Sequence, residues 1–363
     1  MIISSKPFHS IKTIFKGHTK NARKIKPLYF NTGRDAFLFG LIEIGIKKND
    51  KIIVPSYICA SSIEKIIEYG VEVIYLDVNK DLTFSLSALK KISESSEIKA
   101  ILVVNFFGYK NDYKEYLEYC KNKKIKLVLD NCHCSITDFA RDDFDKNFDM
   151  VFYSLRKSLP VIDGGALIIN NGSAKNKKIS KASNFLGEVK FFIARSLEYF
   201  LIKIGVNIYS TLIDFLRKKN QSKKIRIFHK SYKKTFLLEK YINDFEYLLA
   251  SETKIKRNYS YLFNYLKSST NIDLYRKFTH DDNAPQGLIL LDSNKKYLKQ
   301  SRKKGIGSWA WPDYELPTYI LENSQFFPNT IELNQKITVI PIHQSLNKKD
   351  INYICHSFRG ISN

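Results

Sequence analysis

Two residues that could do chemistry follow predicted strands in the first half of the chain. Lys157 comes just after a strand that ends at Ser154 and shortly before the pair Gly164-Gly165, and Asp130 ends an earlier apolar strand. A lysine amine can bind a carbonyl carbon covalently and can also move a proton. A carboxylate raises the pKa of a basic nitrogen beside it by charge pairing. The alternative interpretations are a surface lysine in a lysine-rich chain and an aspartate that caps a helix or a turn.

The elements that must position these residues alternate between strand and helix. Short apolar strands are predicted at 51–55, 71–77, 99–105, 125–130, 149–154 and 166–170, and helices lie between most of them. This alternation predicts an α/β fold with a large, mostly parallel sheet that is covered on both faces. Ligands collect at the carboxyl ends of the strands in such sheets, which is where Asp130 falls.

Length and composition set the outline of the protein. A chain of 363 residues is long for one core, and 44% hydrophobic and 26% charged residues are typical of a globular protein. We expect a basic N-terminal segment at 1–27, a large domain at 28–245 with an apolar and basic insertion at about 186–234, and a small C-terminal α/β domain at 246–363.

The net charge of +23 is concentrated in two stretches. Residues 1–27 contain seven lysines or arginines and no acid, and residues 217–234 contain nine and no acid. Because the remaining chain is only mildly basic, the charge indicates two local segments that face anions and not a protein-wide nucleic-acid surface.

The cysteines favour a reducing, cytoplasmic setting. The five cysteines form an odd set, and the N-terminus lacks the apolar core and cleavage site of a signal peptide. Cys132, His133 and Cys134 are too closely spaced for the loops that zinc sites use, so we expect no metal.

Five segments and a C-terminal tail together carry a resemblance to a known family. They are NTGRDAF (31–37), IIVPSYICASSIEKIIEYGVEVIYLDV (52–78), VVNFFGY (103–109), KLVLDNCHCSI (126–136), VFYSLRKSLPVIDGGALIINN (151–171) and VIPIHQSLNKKDINYI (339–354). Their order and spacing resemble the DegT/DnrJ/StrS family of pyridoxal-phosphate (PLP) dependent sugar aminotransferases. The resemblance implies a PLP-dependent transferase of fold type I, similar to aspartate aminotransferase, with a seven-stranded sheet.

The resemblance also implies roles for the two residues named first. Lys157 corresponds to the lysine that binds PLP covalently, and Asp130 corresponds to the aspartate that keeps the pyridine nitrogen protonated. His133 lies where the family has glutamine or histidine near the phenolic oxygen of the cofactor. It could equally be a core histidine that is satisfied by backbone groups.

Other cofactor contacts are implied with departures from the family pattern. Gly33, Arg34 and Asp35 stand in its phosphate-binding turn, with Arg34 replacing a small hydroxyl residue. Ser154 corresponds to the family's phosphate-binding serine but lies only three residues before the lysine. The family's ring-stacking aromatic position is occupied by Cys59, and Tyr57 lies two residues earlier.

The resulting hypothesis is an aminotransferase that moves an amino group from an amino acid, with glutamate as the expected donor, to a keto sugar, which is nucleotide-activated in the family. A homodimer is expected with this fold. The alternatives are a degenerate family member that acts as a scaffold, a PLP-dependent sugar dehydratase, and, last, a nucleic-acid binder. The resemblance implies that dehydratases replace the lysine with histidine, so Lys157 argues against that alternative.

Two apolar stretches adjoin the basic segments. One helical face of the N-terminal segment carries Phe8, Ile11, Ile14 and Phe15. The segment could bind a membrane surface, pack on a partner subunit or be disordered. Residues 186–216 are strongly apolar, but their longest uncharged piece has ten residues, about half of what a membrane span needs. We expect an amphipathic helix pair at a dimer interface, with peripheral contact with an anionic membrane as the alternative.

Overall fold

Two β-sheets organise the protein. The computed structural model describes residues 1–16, 24–170, 185–206, 234–269, 271–279, 282–312 and 315–362. The larger sheet is built from β1 (Leu28–Phe30), β2 (Lys51–Pro55), β3 (Glu72–Leu76), β4 (Ile98–Val104), β5 (Lys126–Asp130), β6 (Met150–Ser154) and β7 (Gly165–Ile169). The smaller sheet contains β8 (Leu288–Leu291), β9 (Trp309–Ala310) and β10 (Ile337–Ile340).

The larger sheet has the spatial order β1-β7-β6-β5-β4-β2-β3. Strands β2 to β6 pair in parallel, whereas β7 runs antiparallel to both β6 and β1. The prediction of a mostly parallel sheet is therefore confirmed, with seven strands as the resemblance implied. The carboxyl ends of β4, β5 and β6 meet at one edge of the sheet.

Both faces of this sheet are buried, as its strand sequences require. On β5, Leu127 and Leu129 pack into one hydrophobic cluster, and Val128 between them packs into a second cluster on the opposite face. Side chains alternate across a strand, so a strand that is covered on both sides must be apolar at every position. This burial on both faces explains the continuous apolar runs in the sequence.

Thirteen helices are found in the described residues. They are α1 (Ile11–Phe15), α2 (Gly33–Glu43), α3 (Ala60–Tyr69), α4 (Leu86–Ser95), α5 (Lys114–Lys123), α6 (Ser135–Arg141), α7 (Phe185–Lys203), α8 (Phe236–Asn243), α9 (Phe245–Ser269), α10 (Lys296–Lys303), α11 (Thr318–Glu322), α12 (Pro328–Lys336) and α13 (Lys348–Ser362). Short 3₁₀ turns at Phe106–Gly108 and Leu155–Lys157 follow β4 and β6.

Two helices, α8 and α9, follow each other with one residue between them. The chain breaks at Asp244, where φ and ψ are −89° and 79°. The carboxylate of Asp244 accepts a hydrogen bond of 3.2 Å from the Tyr247 amide, so it caps the new helix. Helix α9 then packs against α6 of the large sheet region and α13 near the C-terminus. We keep 245/246 as the proposed boundary between large and small domains.

The first sixteen residues pack against their own chain. Ile3 forms a parallel bridge with Ile306, and the Ser10 amide donates a hydrogen bond of 2.8 Å to the Tyr241 hydroxyl. Lys16 contacts the carboxylates of Asp244 and Glu246 at 3.0 and 2.9 Å. Residues 1–16 of the basic N-terminal segment are therefore an ordered part of the fold.

The apolar stretch at 186–216 is described only as far as Val206. It forms α7 and a short turn, whereas the second helix of the expected pair and the basic run lie mostly outside the described residues. Across the described chain, every helix is too short or too polar to span a lipid bilayer.

Candidate active site

A cavity of about 340 Å³ opens at the carboxyl edge of the large sheet. Its wall combines residues after β5 and β6, the start of α2, the N-terminal segment and residues next to the smaller sheet. Six of the nine predicted site residues line it: Gly33, Arg34, Cys59, Asp130, Ser154 and Lys157. Asp35, Tyr57 and His133 lie outside the lining.

Lys157 is held at the cavity by the turn that ends β6. The strand is buried at all five positions, and the 3₁₀ turn Leu155–Lys157 follows it directly. The Leu155 amide donates to the Gly164 carbonyl at 2.7 Å, which folds the glycine pair back over the turn. Gly164 has φ of +132° and lies where a Cβ would approach Leu155 to 2.9 Å, so only glycine suits this return.

Asp130 lines the same cavity and is buried, with 8% of its surface exposed. One carboxylate oxygen accepts a hydrogen bond of 2.9 Å from the Cys132 amide. Burial raises the pKa of Asp130, and the positive charge of Lys157 opposes this rise. A buried carboxylate needs a cationic partner to remain ionised, so the site favours a ligand that brings a positive charge to Asp130.

The start of α2 provides a place for an anion. Thr32 and Asp35 form a capping box, in which each side chain accepts from the backbone amide of the other. The amides of Gly33 and Arg34 in the first turn have no acceptor within the helix, and both residues line the cavity. The partial positive charge of the helix end adds to this site.

Gly33 allows this turn to approach the sheet closely. A Cβ on Gly33 would lie 3.1 Å from both the Cys132 sulfur and the Tyr153 carbonyl oxygen. Gly165 on β7 has the same function from the other side, because its Cβ would lie 2.1 Å from the Thr32 carbonyl oxygen. The anion-binding turn is therefore fitted between β6 and β7.

Asp35 belongs to the support of this turn and not to the cavity wall. Its carboxylate accepts from the Thr32 amide and forms a buried ion pair with Lys65 on α3. Of the three residues that the resemblance placed in the phosphate-binding turn, two line the cavity and Asp35 fixes their helix from behind.

His133 packs in an aromatic group beside the cavity. Its Nδ1 accepts a hydrogen bond of 2.8 Å from the Phe107 amide, and Phe106, Phe107 and Trp311 surround its ring. Burial lowers the pKa of His133, so its ring is neutral. This environment matches the alternative of a core histidine that is satisfied by the backbone.

Tyr57 is also buried beside the cavity. Its hydroxyl donates a hydrogen bond of 2.7 Å to the Trp311 carbonyl oxygen, and the two rings lie 4.8 Å apart. Trp311 itself lines the cavity together with Trp309 and Phe152. The aromatic wall thus comes partly from β9 and the residues that follow it, next to the smaller sheet.

Several lining residues were missed by reasoning from the sequence. Lys6 and Arg156 add cationic groups, and His343 and Gln344 come from the segment that follows β10. His343 lies in the VIPIHQSL tail that carried the resemblance, so that motif held a signal for it. The sequence contained no such signal for Lys6, because only the tertiary fold brings residue 6 to the same cavity as residue 157.

These residues fit PLP. The cavity joins a lysine amine, a buried carboxylate that needs a cationic partner, and a helix start fitted for an anion, which match the aldehyde, ring nitrogen and phosphate of that cofactor. Among the described residues, no group of three or more possible ligands could hold a metal ion.

Comparison with known proteins shows which family and which fold the chain resembles. Residues 22–196 match the sequence model of the DegT/DnrJ/EryC1/StrS aminotransferase family. The chain is 30% identical over 120 residues, 33% of its own length and 28% of the relative's, to a GDP-4-keto-6-deoxy-D-mannose 3-dehydratase of Yersinia pseudotuberculosis. It is 24% identical over 340 residues, 89% of its length and 82% of the relative's, to a UDP-4-amino-4,6-dideoxy-N-acetyl-beta-L-altrosamine transaminase of Campylobacter jejuni.

Several curated relatives are matched over only 25% to 39% of their own length. The structural match is much longer. A putative sugar aminotransferase of Streptococcus pneumoniae, Spr1654 in its PMP form, superposes with a TM-score of 0.70 at 12% identity, covering 100% of this chain and 98% of that one. This likeness confirms the predicted aspartate-aminotransferase-like fold type I.

Proposed function

We propose that the chain is a PLP-dependent sugar aminotransferase, because residues 22–196 match the model of the DegT/DnrJ/EryC1/StrS aminotransferase family, whose members bind PLP. In this proposal it takes an amino group from an amino acid, glutamate in the first instance, and transfers it to a nucleotide-linked keto sugar. The observation that carries the proposal is the presence of Lys157 and Asp130 in one cavity at the carboxyl edge of the sheet.

Lys157 has two tasks in the proposed reaction. Its Nζ atom would hold the cofactor, and its amine would remove and return a proton at the substrate carbon. When bound, PLP supplies an electron sink that stabilises negative charge on the carbon that loses the proton. The half-buried position of Lys157 at the cavity wall keeps its amine within reach of a bound substrate.

Asp130 keeps the electron sink effective. Its carboxylate would pair with the pyridine nitrogen and hold the proton on that nitrogen. The Cys132 amide fixes one oxygen of Asp130 at 2.9 Å, which orients the carboxylate along the end of β5. The Gly33 and Arg34 amides and the Ser154 hydroxyl would hold the phosphate at the opposite end.

The charge of the cavity wall supports anionic substrates. Lys6, Arg34 and Arg156 line it together with Lys157, whereas Asp130 is the one acid among the described lining residues. Both proposed substrates carry anionic groups, the carboxylates of glutamate and the phosphates of a nucleotide. Arginine binds such groups through two parallel hydrogen bonds.

A sugar dehydratase is the second candidate, because a relative of that activity matches a third of this chain. The resemblance implies that dehydratases of this family carry histidine in place of the lysine. The turn after β6 carries Lys157, which favours transamination.

We also propose that the enzyme is cytoplasmic and works as a homodimer. The cysteine usage supports the first statement, and the general need of this fold for a dimer supports the second. Light scattering coupled to size-exclusion chromatography tests the dimer directly.

An absorption spectrum tests the proposed function. Purified protein with added PLP should show a visible band that shifts on addition of glutamate. Lys157→Ala should lack this band, whereas the control Lys126→Ala, at a lysine that pairs with Asp149 outside the cavity, should retain it. Absence of the band from the wild type would contradict the proposal and favour a scaffold protein.

A band that forms but does not respond to glutamate would contradict the donor alone. The remaining amino acids would then be tested in the same assay. Keto sugars linked to a nucleotide, and the same sugars without it, would next be compared as acceptors for the aminated form.

A further inference from the structure

Helix α7 buries two of its charged side chains and exposes a row of apolar ones. Glu188 and Arg195 are 5% and 8% exposed, whereas Leu186 is 74%, Ile193 60% and Leu197 56% exposed. The outward apolar residues follow each other at steps of three and four along the helix and its terminal turn, which places them on one face. They are Leu186, Val189, Ile193, Leu197, Phe200 and Ile204, and we call this set the outer face of α7.

Specific contacts fix this orientation. At the start of α7, the Glu188 carboxylate accepts from the amides of Phe236 and Leu237 at 3.2 and 2.5 Å, so it caps α8. In the middle of α7, the Arg195 guanidinium donates to the carbonyl oxygens of Lys6 and Pro7 at 3.1 and 2.8 Å. A rotation that buried the apolar side chains against the protein would break both sets of contacts.

The outer face therefore suits an apolar environment outside the described chain. Soluble monomers rarely present a contiguous apolar patch of this kind, and such patches mark surfaces that bind a partner or a membrane. An exposed apolar stripe on a helix that is charged on its inner face reverses the pattern of an ordinary surface helix.

The charged residues near the outer face indicate what kind of surface it binds. Lys190 and Lys203 are the exposed charged residues of α7, and both are basic. Its two acids are occupied, because Glu188 is buried and Glu198 pairs with Arg195. Further along the sequence, residues 217–234 carry nine lysines or arginines and no acid.

An apolar stripe on a helix whose exposed charged residues are both basic matches an anionic lipid surface. Helices that lie in the membrane interface combine apolar side chains with lysine and arginine, and each basic residue near an anionic leaflet adds to the attraction. A second copy of this chain would bring the same excess of positive charge to the contact, which disfavours self-association through this face.

We propose that the outer face of α7 docks on the surface of an anionic lipid membrane. The contact is peripheral, since α7 lies along the surface and does not cross the bilayer. The same helix holds Lys6 and Pro7 in the wall of the cavity through Arg195, so docking places the proposed active site close to the membrane. This proposal is independent of the aminotransferase reaction.

Co-sedimentation of the full-length protein with vesicles tests the proposal. Vesicles of equal parts phosphatidylglycerol and phosphatidylcholine should bind the protein, vesicles of phosphatidylcholine alone should bind it at least tenfold less, and salt should weaken the binding. The double substitution Ile193→Ser with Leu197→Ser should reduce binding to the anionic vesicles at least tenfold, and Lys190→Glu with Lys203→Glu should also reduce it.

A matched control removes exposed apolar side chains elsewhere. Ile67→Ser with Phe326→Ser changes residues that are 48% and 68% exposed but lie outside α7, and this variant should bind vesicles like the wild type. Thermal unfolding followed by circular dichroism should give similar midpoints for all variants, which shows that lost binding is not lost folding.

Three results would overturn the proposal. They are no binding of the wild type to anionic vesicles, equal binding of the wild type and the Ile193/Leu197 variant, and a variant that changes from dimer to monomer without a change in vesicle binding. The last result would identify the outer face as a contact between two copies. None of them depends on the absorption band that tests Lys157.

Discussion

The hydroxyl of Tyr57 donates a hydrogen bond of 2.7 Å to the backbone carbonyl oxygen of Trp311. Tyr57 follows β2 of the large sheet, Trp311 follows β9 of the small sheet, and only Trp311 lines the cavity. Burial raises the pKa of Tyr57, so its hydroxyl stays protonated and remains a donor. The contact thus positions the aromatic wall that follows β9 against the sheet that carries Lys157.

Tyr57→Phe should weaken this connection while keeping the ring. Because the buried carbonyl of Trp311 loses its donor, we expect the free energy of unfolding to fall by about 1–3 kcal/mol. Urea denaturation measures this change. The control is Tyr275→Phe, which removes a hydroxyl that donates to the Lys80 carbonyl oxygen at an exposed site. This variant should lower the free energy of unfolding by less than about 0.5 kcal/mol. Equal losses in the two variants would contradict the prediction.

Gly33→Ala should weaken PLP binding. The new Cβ would lie 3.1 Å from the Cys132 sulfur and the Tyr153 carbonyl, so the start of α2 would have to move away from the sheet. We expect the Kd for PLP to rise at least tenfold, which corresponds to about 1.4 kcal/mol. Fluorescence titration with PLP measures it. Gly360→Ala, on α13 and close only to the flexible end of Lys304, is the control and should bind PLP like the wild type.

The sequence was informative wherever structure depends on neighbours along the chain. Strand periodicity located β2 to β7 within one or two residues, and the strand ends then located Asp130 and Lys157 at one sheet edge. The family resemblance added Gly33, Arg34 and Ser154 to the same place. Each of these inferences rests on local patterns and on the rule that parallel strands end together.

Contacts between distant parts of the chain were beyond such patterns. The Tyr57–Trp311 pair joins residues 254 positions apart, and Lys6 reaches the cavity only because the N-terminal segment folds over it. Asp35 is a different case, since Thr32-x-x-Asp35 is a capping-box pattern that the sequence did contain. The carboxylate was assigned to the cofactor site by resemblance, although its local role was readable.

Asp130→Asn should reduce turnover without removing the cofactor. Because asparagine carries no charge, the proton on the cofactor nitrogen loses its partner, and we expect kcat to fall about a hundredfold to a thousandfold. Lys157 is unchanged, so the visible absorption band should still form, although with a different pH dependence. Steady-state assays and the spectrum measure both.

The control for this change is Asp77→Asn. Asp77 accepts hydrogen bonds from the amides of Asn329 and Thr330 at the start of α12, away from the cavity. The Asp77→Asn variant should change the stability only and leave kcat within about twofold of the wild type. If Asp130→Asn keeps full turnover, Asp130 has no role in the reaction.

Asp138 on α6 should make stability fall as the pH rises. Burial raises the pKa of Asp138 to about 7, opposed by hydrogen bonds from Tyr153 and Asn131, while Asp143 and Asp145 raise it further. The unfolded chain releases this proton near pH 4, so between about pH 4 and pH 7 the folded state binds more protons and loses stability as the pH increases. From pH 5 to pH 8 the loss amounts to roughly 3 kcal/mol.

Asp138→Asn tests this pH dependence, because asparagine retains an oxygen that accepts from the Tyr153 hydroxyl and from the side-chain Nδ2 of Asn131, at 2.8 and 2.5 Å in the wild type. The variant does not titrate at this position, so its stability should change less than that of the wild type between pH 5 and pH 8. The buried histidines act in the opposite direction, since burial lowers the pKa of His9 to about 4 and that of His343 to about 3. Their contribution is the same in both proteins and cancels in the difference. Urea denaturation at both pH values should therefore show the variant gaining stability relative to the wild type as the pH rises, and parallel curves would show that Asp138 titrates alike in the folded and unfolded states.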